Sequence, residues 1–127
     1  MLKAFFYTLL TVLVMDAVWL TLNYKYHKDL IESVQKAVLT VRVVPAVLTY
    51  ILIAIAVAYF AIKPSKDVKE SVKNGALLGL SMYGLYDLTN LATLKGWTIE
   101  MLIRDVSWGT FLCAVGAGSG YYLSNKI

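Results

Sequence analysis

Asp16, Asp87 and Asp105 each interrupt a stretch that is otherwise apolar enough to span a membrane. An acid placed at the centre of a membrane helix costs roughly 2.5–3.5 kcal/mol on insertion scales, so such residues usually mark a site. Their companions follow helical spacing. Tyr83, Asp87 and Asn90 stand at i, i+4 and i+7, and Tyr86, Asn90 and Thr93 repeat that spacing on the neighbouring stripe, giving one broad polar face. Asp16 with Trp19 and Asp105 with Trp108 are both i, i+3 pairs, which would set an indole N–H near a carboxylate that needs donors away from water. Arg104 is the only strong cation close to this group. It points about 100° away from Asp105 around a helix, and either snorkels to the interface or reaches Asp16 or Asp87 on another helix. Three acids against one arginine leave excess negative charge, so at least one carboxyl is expected to carry a proton or to hold a cation.

The elements that position these residues follow from composition. With 59% hydrophobic and 16% charged residues, and a mean hydropathy of +0.66, the chain is expected to be an integral, multi-pass membrane protein. Its 127 residues leave room for one domain of four spans and no soluble enzymatic module. The expected fold is all-α, a four-transmembrane-helix bundle with helices at about 4–22, 44–62, 72–94 and 99–123. A short amphipathic interfacial segment joins the first two, because Leu30, Ile31, Val34, Val38 and Val41 recur at helical spacing opposite Lys28, Asp29, Glu32, Gln35 and Lys36. The first apolar stretch is read as a retained helix, since it is span-length and lacks a small-residue cleavage pattern.

Pro45 suits the first turn of the second helix, and Pro64 ends it. Gly96 is expected to form a left-handed cap after the third helix, Trp97 to anchor at the interface and Thr98 to cap the fourth. So short a connection makes the last two helices antiparallel neighbours, and Gly75, Gly79, Gly109, Gly116, Gly118 and Gly120 would let backbones approach closely in lipid. In this up-and-down path each aspartate lies about six or seven residues from the same membrane boundary, roughly 10 Å deep at 1.5 Å per residue. The carboxylates therefore share a layer.

The positive-inside rule returns a tie, which permits dual topology or defeats the rule. Lys3, Lys63, Lys66, Lys69, Lys73 and Lys126 fall on one side, and Lys25, Lys28, Lys36, Arg42, Lys95 and Arg104 on the other. The dense loop between the second and third helices favours a cytoplasmic N-terminus. The net charge of +4 is dispersed among loops without a basic stripe, which argues against nucleic acid. His27 has no second His or Cys nearby, so no metal site is expected, and the lone Cys113 reads as a small core residue.

The block Tyr86-Asp87-Leu88-Thr89-Asn90-Leu91-Ala92-Thr93-Leu94-Lys95-Gly96-Trp97 resembles the signature of a family of small four-span membrane proteins, domain of unknown function 2177. The resemblance extends to Met15-Asp16-Ala17-Val18-Trp19-Leu20 and to Asp105-Val106-Ser107-Trp108-Gly109-Thr110, and so covers nearly the whole chain. It implies a four-helix membrane protein whose motifs include these aspartates and tryptophans. It brings no activity, only an association of some bacterial relatives with genes for modifying membrane fatty acids.

Three functions fit. The first is a membrane-embedded polar site for a lipid or other amphiphile, accessory to lipid modification, with Asp87, Asn90 and Tyr83 grasping the polar end. The second is a proton-coupled or cation transporter built on intramembrane aspartates. The third is a structural or assembly protein of a cellular or viral membrane, with a second copy of the chain among its admissible partners. Interhelical hydrogen bonds in lipid are worth only about 0.6–2 kcal/mol each, less than the insertion cost of an acid, which favours a functional layer over glue. No cofactor motif, activated Ser or Cys, or phosphate-cradling glycine loop is present, and an aspartate acting as general acid or base keeps catalysis open.

Overall fold

Nothing between Leu2 and Leu22 breaks a helix, because the stretch is apolar and holds neither Gly nor Pro, and in the computed structural model α1 runs unbroken over those residues. The structure describes residues 1–126; the Lys126 side chain, counted in the charge tally above, lies outside the described residues. Among the described residues all regular structure is helical, with α2 at Tyr24–Gln35, α3 at Val43–Ala56 continuing as a π-helical segment Val57–Ile62, α4 at Val68–Thr93 and α5 at Ile99–Lys126.

Asn23 ends α1 by local competition. Its backbone N–H and its side-chain amide both donate to the Trp19 carbonyl, at 2.9 and 3.0 Å, and its own carbonyl lies 2.9 Å from the His27 ring nitrogen. The amphipathic segment forms as expected but is shorter, stopping where Lys36 takes a left-handed conformation at φ 55°. Two i, i+4 ion pairs brace it, Lys25–Asp29 at 2.8 Å and Lys28–Glu32 at 3.0 Å, and Glu32 also accepts the Leu39 N–H at 2.8 Å.

Those bonds hold the Glu32 carboxyl below its ordinary value of 4.5, through the Leu39 N–H first and then Lys28. The Lys25 bond lowers Asp29 from 3.8 in the same way. A carboxyl depressed in the folded state stabilises it above the unfolded pKa and loses that contribution as pH falls through the folded value. Exchange protection of residues 24–36, corrected for intrinsic rates, is therefore expected to hold above pH 4.5 and to decline below it. Protection that stays flat through acid would show that these pairs do not hold α2.

The helix around α4 begins earlier than hydropathy suggests. Its first residues are polar, but Asp67 accepts the Glu70 N–H and Glu70 accepts the Lys66 N–H, both at 2.7 Å, so capping extends it out of the apolar run. Its other end departs from the expectation for Gly96: among the described residues no glycine has a positive φ, and the extended Leu94 ends the helix. Gly96 instead makes room for α2, since a Cβ there would stand 3.0 Å from Val34 Cγ2. Thr98 caps α5 as expected, accepting the Met101 N–H at 3.0 Å. The π segment has no signal in the sequence, because hydropathy does not distinguish α from π geometry. It turns Val57, Ala58, Ala61 and Ile62 inward against α1, α4 and α5.

Helices α4 and α5 form the most intimate pair, and the glycines explain why. A Cβ at Gly75 would stand 2.6 Å from Ala117 Cβ, and one at Gly79 would fall on the Gly109 carbonyl oxygen. Helix α1 packs on the other side of α5, where Thr8 Oγ1 donates to the Gly116 carbonyl at 3.3 Å. The core is small and buried between these helices: Val12, Val57, Leu112, Cys113 and Ala117.

Two helices, Leu2–Leu22 and Val43–Ile62, are long and apolar enough to cross a membrane. Helices α4 and α5 carry more polar residues, yet they too expose large apolar side chains, with Leu85 72% and Ile103 58% exposed, as Leu10 (60%) is on α1 and Leu52 (65%) on α3.

Candidate functional site

The three aspartates lie on the inner faces of α1, α4 and α5, where they divide into one tethered acid and one acid pair. Asp16 is nearly buried, at 8% exposed. One of its oxygens accepts the Tyr50 hydroxyl of α3 and the other the Trp108 indole of α5 at 2.8 Å. Trp108 in turn stacks on Trp19, with ring centroids 4.5 Å apart and planes 5° from parallel. The indole thus serves the acid on the opposite helix rather than Asp105, its i−3 neighbour. Trp19 Nε1 is buried without a hydrogen-bond partner among the described residues.

Asp87 is fully buried. Trp97 Nε1 donates to its Oδ1 at 3.3 Å, while Oδ2 has no donor among the described residues. The Asp105 carboxyl faces it within hydrogen-bonding reach, and Asp16 is close enough to Asp105 to interact with it. Two carboxyls can bond each other only with a proton between them. None of the three acids forms an ion pair, and no three His, Cys, Asp or Glu side chains converge to hold a metal ion, among the described residues.

The remaining candidates separate in the same way. The Tyr83 ring lies across Gly109, whose missing side chain gives it room, and is close to both Asp16 and Asp105. Tyr86 bonds Asn90 and meets Trp97 edge-on at 5.9 Å. Asn90 lines a cleft of about 430 Å³ beneath α2, shared with Ile31, Val34 and Trp97. Thr93 is not brought to the layer: it is exposed and donates to the Thr89 carbonyl of its own helix at 2.9 Å. Arg104 also turns away. It bonds Asn23 Oδ1 at 3.3 Å, stands 3.8 Å from Glu100 and lies 4.1 Å over the Tyr26 ring, and among the described residues it pairs with neither Asp16 nor Asp87.

A second cleft, of about 440 Å³, opens between α3 and α4 and is lined by Thr49, Ile53, Met82, Tyr83, Tyr86 and Asp105. Its walls are largely apolar, and Asp105 brings the acid layer to it.

A family model described as "Predicted membrane protein (DUF2177)" matches residues 1–122. The chain belongs to this family. No curated protein and no solved structure matches it. The three blocks that resemble DUF2177 motifs meet at the acid layer: the first supplies Asp16, the second both Asp87 and its donor Trp97, the third both Asp105 and the Trp108 that serves Asp16.

Sequence spacing misses Tyr50, Trp97 and His27 as neighbours of the acids. Tyr50 is within reach of the depth count, standing about six residues inside its helix from the boundary at which α1 ends, roughly 9 Å at 1.5 Å per residue. Trp97 has the look of an interface anchor and His27 that of a surface residue, yet His27 is near enough to Asp87 to interact with it.

Proposed function

We propose that the protein crosses the membrane four times as a single integral domain with a cytoplasmic N-terminus, and that it binds a lipid or other amphiphile in the cleft between α3 and α4. The cleft itself carries this reading: a volume in the range of small-molecule sites, apolar walls, and a carboxyl on its inner side. Exposed leucines and isoleucines on α1, α3, α4 and α5 support four lipid-facing spans. In that frame the polar end of a lipid enters laterally and meets Asp105, Tyr83 and Tyr86 while its chain stays against lipid.

Native mass spectrometry of gently purified protein is expected to show a defined lipid adduct that is lost or strongly reduced in Asp105→Asn. Thr93→Ala, a change confined to the outer face of α4, is expected to retain it. Bare wild-type protein of normal stability would overturn the proposal.

The Asp87–Asp105 pair supports a second reading, proton or cation transport, since a carboxyl pair that shares a proton can release it to a ligand. On that reading liposomes bearing the protein acidify or carry a cationic dye down a gradient, and Asp87→Asn stops both.

A further inference from the structure

The groups around the α3–α4 cleft restrict the polar end of its occupant, an inference that rests on the amphiphile-binding reading above. We infer that the cleft selects amphiphiles whose head donates hydrogen bonds and carries positive charge, long-chain amines above all, and rejects anionic heads. Among the described residues no Lys, Arg or His lines it. Arg104, the cation nearest in sequence, is held by Asn23, Glu100 and Tyr26. Of the donors near the layer, Tyr50 and Trp108 are engaged by Asp16 and Trp97 by Asp87; Trp19 Nε1 is buried away from the cleft's lining, which leaves the Tyr83 and Tyr86 hydroxyls as the side-chain donors facing the acceptor oxygens of Asp105.

Acceptors therefore exceed donors at the inner end of the cleft. Asp105 lines it, and behind Asp105 stands a completely buried carboxyl with one oxygen lacking a donor among the described residues. An ammonium supplies up to three donors and a charge, an alcohol one donor and no charge. A carboxylate or phosphate would meet like charge in a low-dielectric setting with no cation on the lining among the described residues, His27 standing nearer Asp87 than the cleft. The phenol rings of Tyr83 and Tyr86 add faces that attract a cation, and Ile53 and Met82 suit the first methylenes of the chain. The cleft is open at its rim, where Thr49 and Tyr86 are exposed, so the chain can leave sideways.

The test uses wild-type protein in neutral detergent, titrated separately with a primary alkylamine, a primary alkanol and a fatty acid of the same saturated chain, and read by native mass spectrometry. The amine is expected to bind roughly tenfold to a hundredfold more tightly than the fatty acid, the range that a charge-assisted hydrogen bond supplies, with the alkanol between them. In Asp105→Asn the advantage of the amine over the alkanol should disappear while the alkanol still binds. A fatty acid that binds as well as the amine, or an amine preference untouched by Asp105→Asn, overturns the head-group inference and leaves the cleft an amphiphile site. Failure of all three to bind the wild type overturns the amphiphile reading too. The wild-type comparison stands even if the variant does not fold.

Discussion

Gly79→Val is expected to unseat α4 from α5 and to lower the unfolding midpoint in detergent sharply, while Gly84→Ala on the same helix leaves it unchanged or slightly raised. At Gly79 the new Cβ would land on the Gly109 carbonyl and 2.9 Å from Cys113 Cβ, before valine's two methyl groups are added. The obstruction is backbone, which cannot swing aside without moving the whole of α5. Overpacking a well-filled core typically costs about 1–3 kcal/mol, and a contact against backbone belongs at or above the upper end of that range. Gly84 is the control because nothing among the described residues lies within 4 Å of its would-be Cβ, and alanine gains up to about 1 kcal/mol of helix propensity over glycine.

The consequence reaches the site. Tyr83 lies on Gly109, and Asp87 and Asp105 face each other from the two helices of this hairpin, so spreading it should separate the acid pair as it lowers stability and, on the proposed amphiphile reading, abolish the adduct. A Gly79→Val protein that unfolds with the wild type would show that close approach of these helices does not hold the acid pair together.

What the sequence discloses is position along a helix, and what it conceals is direction around it. Counting residues from each boundary puts Asp16, Asp87 and Asp105 at one level, and the short link 95–98 makes α4 and α5 neighbours, because rise per residue and loop length are local quantities. Direction around a helix is settled by partners elsewhere in the chain. Trp108 is three residues from Asp105 yet donates to Asp16, 92 residues away in sequence. Tyr50 is a lone hydroxyl in an aliphatic run, and only the packing of α3 on α1 gives it an acid. Arg104 has two readings in the sequence because the charge of its helical neighbours says nothing about Asn23 and Tyr26, which α1 and α2 bring to it. Gly96 carries a turn signal, but its conformation is ordinary and its small size serves a helix that packs over it. Thr93 obeys the stripe rule yet sits at the last turn of α4, where its hydroxyl returns to the backbone.

Asp16→Ala should produce the second large effect, and one of an unusual kind: easier insertion of α1 with poorer assembly of the bundle. In the inserted but unassembled chain the carboxylate has few donors and costs roughly 2.5–3.5 kcal/mol, which alanine removes. Assembly brings Tyr50 and Trp108 to the acid, so in the wild type the same group that hinders insertion draws α3 and α5 onto α1. Alanine leaves a hydroxyl and an indole N–H without their acceptor, about 1–3 kcal/mol for each such group when buried. In Asp16→Asn the side-chain amide would still accept from Trp108 and would donate to the Tyr50 oxygen, so that variant is expected to lose far less. Tyr50→Phe should fall between them, and Asp16→Ala combined with Tyr50→Phe should cost less than the two separate losses added, because both remove one bond. Insertion measured by glycosylation mapping and assembly measured by resistance to denaturing detergent separate the two steps. An Asp16→Ala protein as resistant as the wild type would mean that this acid is no structural latch and that its bonds to Tyr50 and Trp108 do not hold α3 and α5 on α1.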